Sequence, residues 1–138
     1  MELKGDKGQM FEPSKNFTDL IVWQKAHEFV LDVYKATRTF PTEERFALCS
    51  QFQRAAISIP ANIAEGYKKL SKADKLRFLN IAQGSLEECR YYIILSRDLT
   101  YINIRNYNEL IVRVEEVSRL LNSYIRGVVN KQFVESMD

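Results

Sequence analysis

The sequence predicts an all-α protein, an antiparallel up-and-down four-helix bundle with a kinked second helix. Three observations predict it. Only three prolines and five glycines punctuate 138 residues, and most of them fall between or outside long periodic segments, which leaves little turn chemistry for a β protein. Apolar residues recur at spacings of three and four over four segments. The joints between those segments are short, which makes sequential helices antiparallel neighbours. With 46% hydrophobic and 28% charged residues, the balance is that of one ordinary domain large enough to bury a core. The expected organisation is a disordered N-terminal segment over 1–16, the bundle over 17–130 and a C-terminal tail over 131–138.

Helix 1 is expected near 19–38. There "DLIVWQKAHEFVLDVYKATRTF" sets Val22, Trp23, Ala26, Phe29, Val30, Val33 and Tyr34 at helical spacing, with Asp19 as N-cap. Pro41 ends it, Thr42 offers a cap, and Glu43 and Glu44 suit the positive end of the next helix, expected over 43–70. Within helix 2, "RAAISIPANIAEG" is the unusual stretch. Gln51, Arg54, Ser58, Asn62 and Glu65 advance by three and four residues and share one narrow polar face. Around it lie Phe52, Ala55, Ala56, Ile57, Ile59, Ile63 and Ala64, so most of the circumference is fit for burial. A solvated face is one reading of that seam. Ser, Asn and Ala in place of long Lys and Glu suit the other, close approach of a second helix inside the bundle or between subunits. Pro60 lacks an N–H and meets the carbonyl of Ala56, at a cost of ~3 kcal/mol in a regular helix, so a kink is expected there, with Ser58 near enough to bond a backbone carbonyl.

Helix 3 is expected over 72–100, opened by Ser71 with Asp74 completing a capping box. It carries two apolar stripes. One runs through Leu76, Leu79, Ala82, Leu86, Cys89 and Ile93, the other through Phe78, Ile81, Tyr92, Leu95 and Leu99. Helix 4, over 106–128, shows one clean face of Tyr107, Leu110, Ile111, Val114, Val117, Leu121, Tyr124, Ile125 and Val128. Four helices of this length do not cover both stripes of helix 3 and the whole of helix 2, and uncovered apolar area marks interfaces. A homo-oligomer follows.

The residues argue against an enzyme. The single histidine, His27, has Gln24 three positions before it rather than Glu, so the Glu-x-x-His pattern of di-iron bundles is absent. One histidine also leaves no nucleophile–base pair to assemble. No glycine-rich loop cradles a phosphate, and Glu87 and Glu88, adjacent on a helix, point about 100° apart. Glu87 is expected to meet a basic or amide partner on helix 2. Cys49 and Cys89 sit among apolar residues and read as small buried hydrophobes rather than disulfide partners or metal ligands. No catalytic residue, metal or cofactor is expected. No apolar run approaches the roughly 20 residues that cross a bilayer, and "MELKGDKGQMFEPSKN" lacks the apolar core of a secretory signal, which makes a cytoplasmic location the expectation.

Charge is informative locally. In "KKLSKADKLR", Lys68, Lys69, Lys72, Lys75 and Arg77 face one acid, Asp74, a local +4 against +2 for the whole chain. As a solvated corner this is either a solubilising loop or a phosphate-attracting surface for RNA or DNA, with Tyr67 beside it to stack on an unpaired base. Arg113, Arg119 and Arg126 form a weaker set, diluted by Glu109, Glu115 and Glu116.

Taken together, "DLIVWQKAHEF", "FALCSQFQRAAISIPANIAEGYKK" and "FLNIAQGSLEECRYYIILSRDLTYI" closely resemble the four-helix-bundle family of 23S rRNA intervening-sequence proteins, also labelled S23 ribosomal proteins, over about Phe17 to Val128. The resemblance implies an up-and-down bundle assembled as a ring-shaped homopentamer, in which five copies of the basic corner would place about 20 positive charges on one rim. Members are encoded in insertions within bacterial 23S rRNA genes or elsewhere in genomes. A related bundle, the accessory variability determinant of diversity-generating retroelements, is a basic pentamer that binds nucleic acid and partners a reverse transcriptase, which keeps a protein-adaptor role as the alternative. One departure is visible. The family often has two arginines where this chain has Gln53 and Arg54, which removes a positive charge from the seam.

Overall fold

The computed structural model describes residues 14–131; of the terminal segments expected over 1–16 and 131–138, residues 1–13 and 132–138 lie outside the described residues. Four α-helices account for most of the rest: α1 (Ile21–Thr37), α2 (Leu48–Lys68), α3 (Lys72–Asp98) and α4 (Ile104–Asn130), with no strand among the described residues. Each helix packs on the next, and α4 packs back on α1, closing a four-cornered bundle around one core. Phe29, Phe52, Ile59, Ile63, Leu79, Leu86, Ile93, Val114 and Leu121 fill its centre and are almost wholly shielded from water. Cys49 and Cys89 are free thiols in that core.

Helix ends depart from the expected bounds wherever a side chain found a different backbone partner. Asp19 does not cap α1. It closes a 3₁₀ turn at Phe17–Asp19 whose own cap is Asn16, and its carboxylate accepts the Lys15 N–H at 2.8 Å. α2 begins five residues later than expected, because Thr42–Glu44 forms a separate 3₁₀ turn and Ala47, at φ −118° and ψ −102°, breaks the helical path. Glu44, rather than Thr42, serves the helix start. One of its oxygens accepts the Leu48 N–H at 3.3 Å, and the other accepts the Tyr101 hydroxyl at 2.7 Å. Ser71 caps α3 as expected, accepting the Asp74 N–H at 3.1 Å, and Asn103 does the same for α4 through Asn106 at 2.8 Å. α2 continues through the buried Pro60 to Lys68.

At one end of the bundle Ser14, the end of α2, the start of α3 and the end of α4 meet. The Tyr67 hydroxyl donates to the Ser14 carbonyl at 2.9 Å, and Lys72 donates to the Val129 carbonyl at 2.8 Å. At the other end Phe40 packs against Tyr101 with the rings tilted by 49° and their centroids 5.2 Å apart.

Candidate nucleic-acid interface

The five cations of the α2–α3 corner lie at the first of these ends, but they do not form one solvated patch. Two of them close helices. Lys75 donates to the Tyr67 carbonyl at 2.9 Å and the Gly66 carbonyl at 3.4 Å, and Lys72 to that of Val129. These carbonyls belong to the last turns of α2 and α4, at the negative ends of the helix dipoles, and that of Gly66 also accepts the Lys69 N–H at 3.2 Å. Expecting all five to be solvated was therefore wrong for Lys72 and Lys75, which are half-buried. Lys69 and Arg77 both lie over Phe78, at 5.1 and 4.7 Å from the ring centroid, and Arg77 also pairs with Asp74 at 3.4 Å. Lys68 is exposed, as is Leu70 in the short connection that follows. The outward-facing part of the corner is thus Lys68, Lys69 and Arg77, the last two over one aromatic ring.

The polar seam of α2 divides. Its centre turns to α3: Ser85, itself buried, donates to the Ser58 hydroxyl at 2.7 Å, and Asn62 donates to that hydroxyl at 2.9 Å and to the Ser58 carbonyl at 2.8 Å. Gln51, Arg54 and Glu65, toward its two ends, are exposed. Gln53, where the family often has arginine, reaches α1 instead and donates to the buried Thr37 hydroxyl at 3.0 Å.

Other charges are absorbed by the bundle. Glu87 has no partner on α2. It pairs with Arg90 one turn along its own helix at 3.2 Å, while Arg90 also bonds Glu115 and reaches Ser118 at 3.2 Å, tying α3 to α4. Sequence reasoning missed Arg90, although its i+3 spacing from Glu87 was visible. Arg113 is held by Glu28 and Asp32 of α1, each at 3.4 Å, which removes it from the second basic set. His27 is exposed and stacks on Trp23, with centroids 5.1 Å apart.

Among the described residues no group of His, Cys, Asp and Glu is arranged to hold a metal, and no helix is long and apolar enough to cross a membrane. The thiols are not poised as nucleophiles, since burial pushes both above the usual range.

The family model for 23S rRNA-intervening sequence proteins matches residues 18–123. Among solved structures, the chain is similar to a protein of unknown function from the S23 ribosomal protein family of Bacteroides thetaiotaomicron VPI-5482. The two share 30% identity and a TM-score of 0.71 over 77% of this chain and 96% of that one. No curated protein matches.

Proposed function

The chain belongs to the 23S rRNA-intervening sequence protein family, and from that premise we propose that it is a non-enzymatic, self-associating bundle that binds nucleic acid through its basic end without reading sequence. One observation carries this: of a corner with a local +4, Lys68, Lys69 and Arg77 face outward, the last two over the Phe78 ring, while Lys72 and Lys75 add their charge from the helix ends that they cap. Cations displayed on a rigid end meet phosphates and release counterions. None of them sits on a helix shaped for a groove with base-reading amides, so sequence preference is slight. RNA and DNA are both substrates of such a surface.

The test is salt. Affinity for an RNA oligonucleotide should fall on a log–log plot with a slope of about −0.7 to −0.9 for each phosphate neutralised. Lys68→Glu with Lys69→Glu should abolish binding and leave helicity intact, because neither side chain caps a helix end as Lys72 and Lys75 do. Wild-type protein with no salt-dependent binding to RNA or DNA would overturn the proposal.

Self-association belongs to the same reading, with five copies as the expected number. Ile57 of α2 and Ile81 of α3 remain 42% and 44% exposed on the two helices joined by the Ser58–Ser85 contact. Exposed apolar side chains on adjoining helices favour burial against another copy.

A further inference from the structure

Beside the basic corner, α2, α3, α4 and the N-terminal approach to α1 line an open hollow of about 530 Å³, within the size range of sites that take small organic ligands. Its walls combine two kinds of chemistry. Tyr67, Tyr124, Leu20 and Val128 present rings and apolar surface, whereas Lys75 and Lys131 bring positive charge. The Tyr67 ring is fixed in place, since its hydroxyl donates to the Ser14 carbonyl and the Lys75 ammonium stands 5.8 Å from its centroid. Tyr124 is half-buried against the core.

Gly127 supplies the opening. A Cβ built there would meet nothing within 4 Å, yet a glycine inside a helix costs roughly 0.5–1 kcal/mol relative to alanine. Folding does not require the missing side chain, whereas an open hollow does. Gly84 has equal room, but the groove of about 480 Å³ that it lines holds Glu87 and neither a cation nor an aromatic ring.

From rings, positive charge and an open wall of this size, we infer that the hollow seats one unpaired nucleotide of a single strand, its base against the tyrosines and its phosphate in the positive field of Lys131 and of Lys75, which keeps its bonds to the α2 carbonyls. This rests on the basic end being a nucleic-acid surface, and adds that single strands are preferred there to duplex. In a duplex the base faces are stacked and hidden, so only an unpaired base offers a π face to an aromatic wall.

Fluorescence anisotropy with the full chain, using labelled oligouridylate and a blunt RNA duplex of equal length, tests this. Wild-type protein should prefer the single strand. Gly127→Leu, which projects a branched side chain at the hollow's wall while favouring helix, should weaken single-strand binding about tenfold and leave duplex binding unchanged, and Gly127→Ala should stay near wild type. Lys68→Glu with Lys69→Glu should weaken both. A folded Gly127→Leu protein with wild-type single-strand affinity overturns the inference and leaves the basic-end reading standing. Wild-type protein that binds neither probe overturns both. Should Gly127→Leu fail to fold, uridine monophosphate added to wild-type protein decides the matter: amide shifts at Tyr124 and Gly127 support the seat, and their absence removes it.

Discussion

At the scale of the residue, polar groups inside the bundle explain more than the apolar ones. Ser85 is 6% exposed, and its hydroxyl completes the bonding of Ser58, which Asn62 serves from the other side. Ser85→Ala should cost about 1 kcal/mol, the net worth of one internal hydrogen bond, read as a lower urea midpoint with unchanged slope. Asp32 behaves in the opposite sense. One of its oxygens is buried without a hydrogen bond, and Arg113 lies 3.4 Å away. Burial raises its pKa above 3.8, and the lowering by Arg113 does not cancel the effect. A carboxyl whose folded pKa is raised contributes stability only while protonated, below its unfolded value, and loses it as pH rises through the folded value. Asp32→Asn should therefore raise the melting temperature at neutral pH, and that advantage should disappear under acid conditions below 3.8. The burial of Cys49 and Cys89 was legible in the sequence, because both stand at helical spacing among apolar residues. The partner of Glu87 was not, because a half-buried arginine on the same helix competes with any residue across the bundle.

At the scale of the element, helix centres followed periodicity and helix ends followed individual side chains. α3 ends in a Schellman pattern, in which the Tyr101 N–H reaches the Ser96 carbonyl and the Thr100 N–H reaches that of Arg97, both at 2.9 Å. The residue at the turning point is Thr100, at φ 65°. A β-branched residue there brings its Cβ against the backbone, where glycine has none. Thr100→Gly should stabilise the fold by about 1 kcal/mol, seen as a higher melting temperature with the same helical content. "YINIRNYN" reads as a turn in the sequence, but nothing in it reveals that a threonine occupies the left-handed position. The start of α2 was hidden for a related reason. Glu44 satisfies both Leu48 and the distant Tyr101, so the break at Ala47 depends on a partner 57 positions away along the chain.

At the scale of the whole molecule, the apolar side chains left outside the core bear on assembly. Ile81→Glu should reduce the mass seen by analytical ultracentrifugation toward the 16.1 kDa of one chain while preserving helicity, since Ile81 is 44% exposed in the single bundle. Wild-type protein that sediments at 16.1 kDa would contradict self-association. The four-helix architecture and the larger part of the core were determined by the sequence alone, because a 3.6-residue period commits each apolar stripe to one direction before any partner is known. The basic corner was equally visible as charge. Tertiary structure alone decided how that charge is used: Lys72 and Lys75 turn inward because two helices end beside them and offer last-turn carbonyls, a juxtaposition no local spacing encodes. It also turned the middle of the α2 seam toward Ser85 and left its ends to solvent, since which face of a helix meets a neighbour is set by how the helices pack and not by the period of either one.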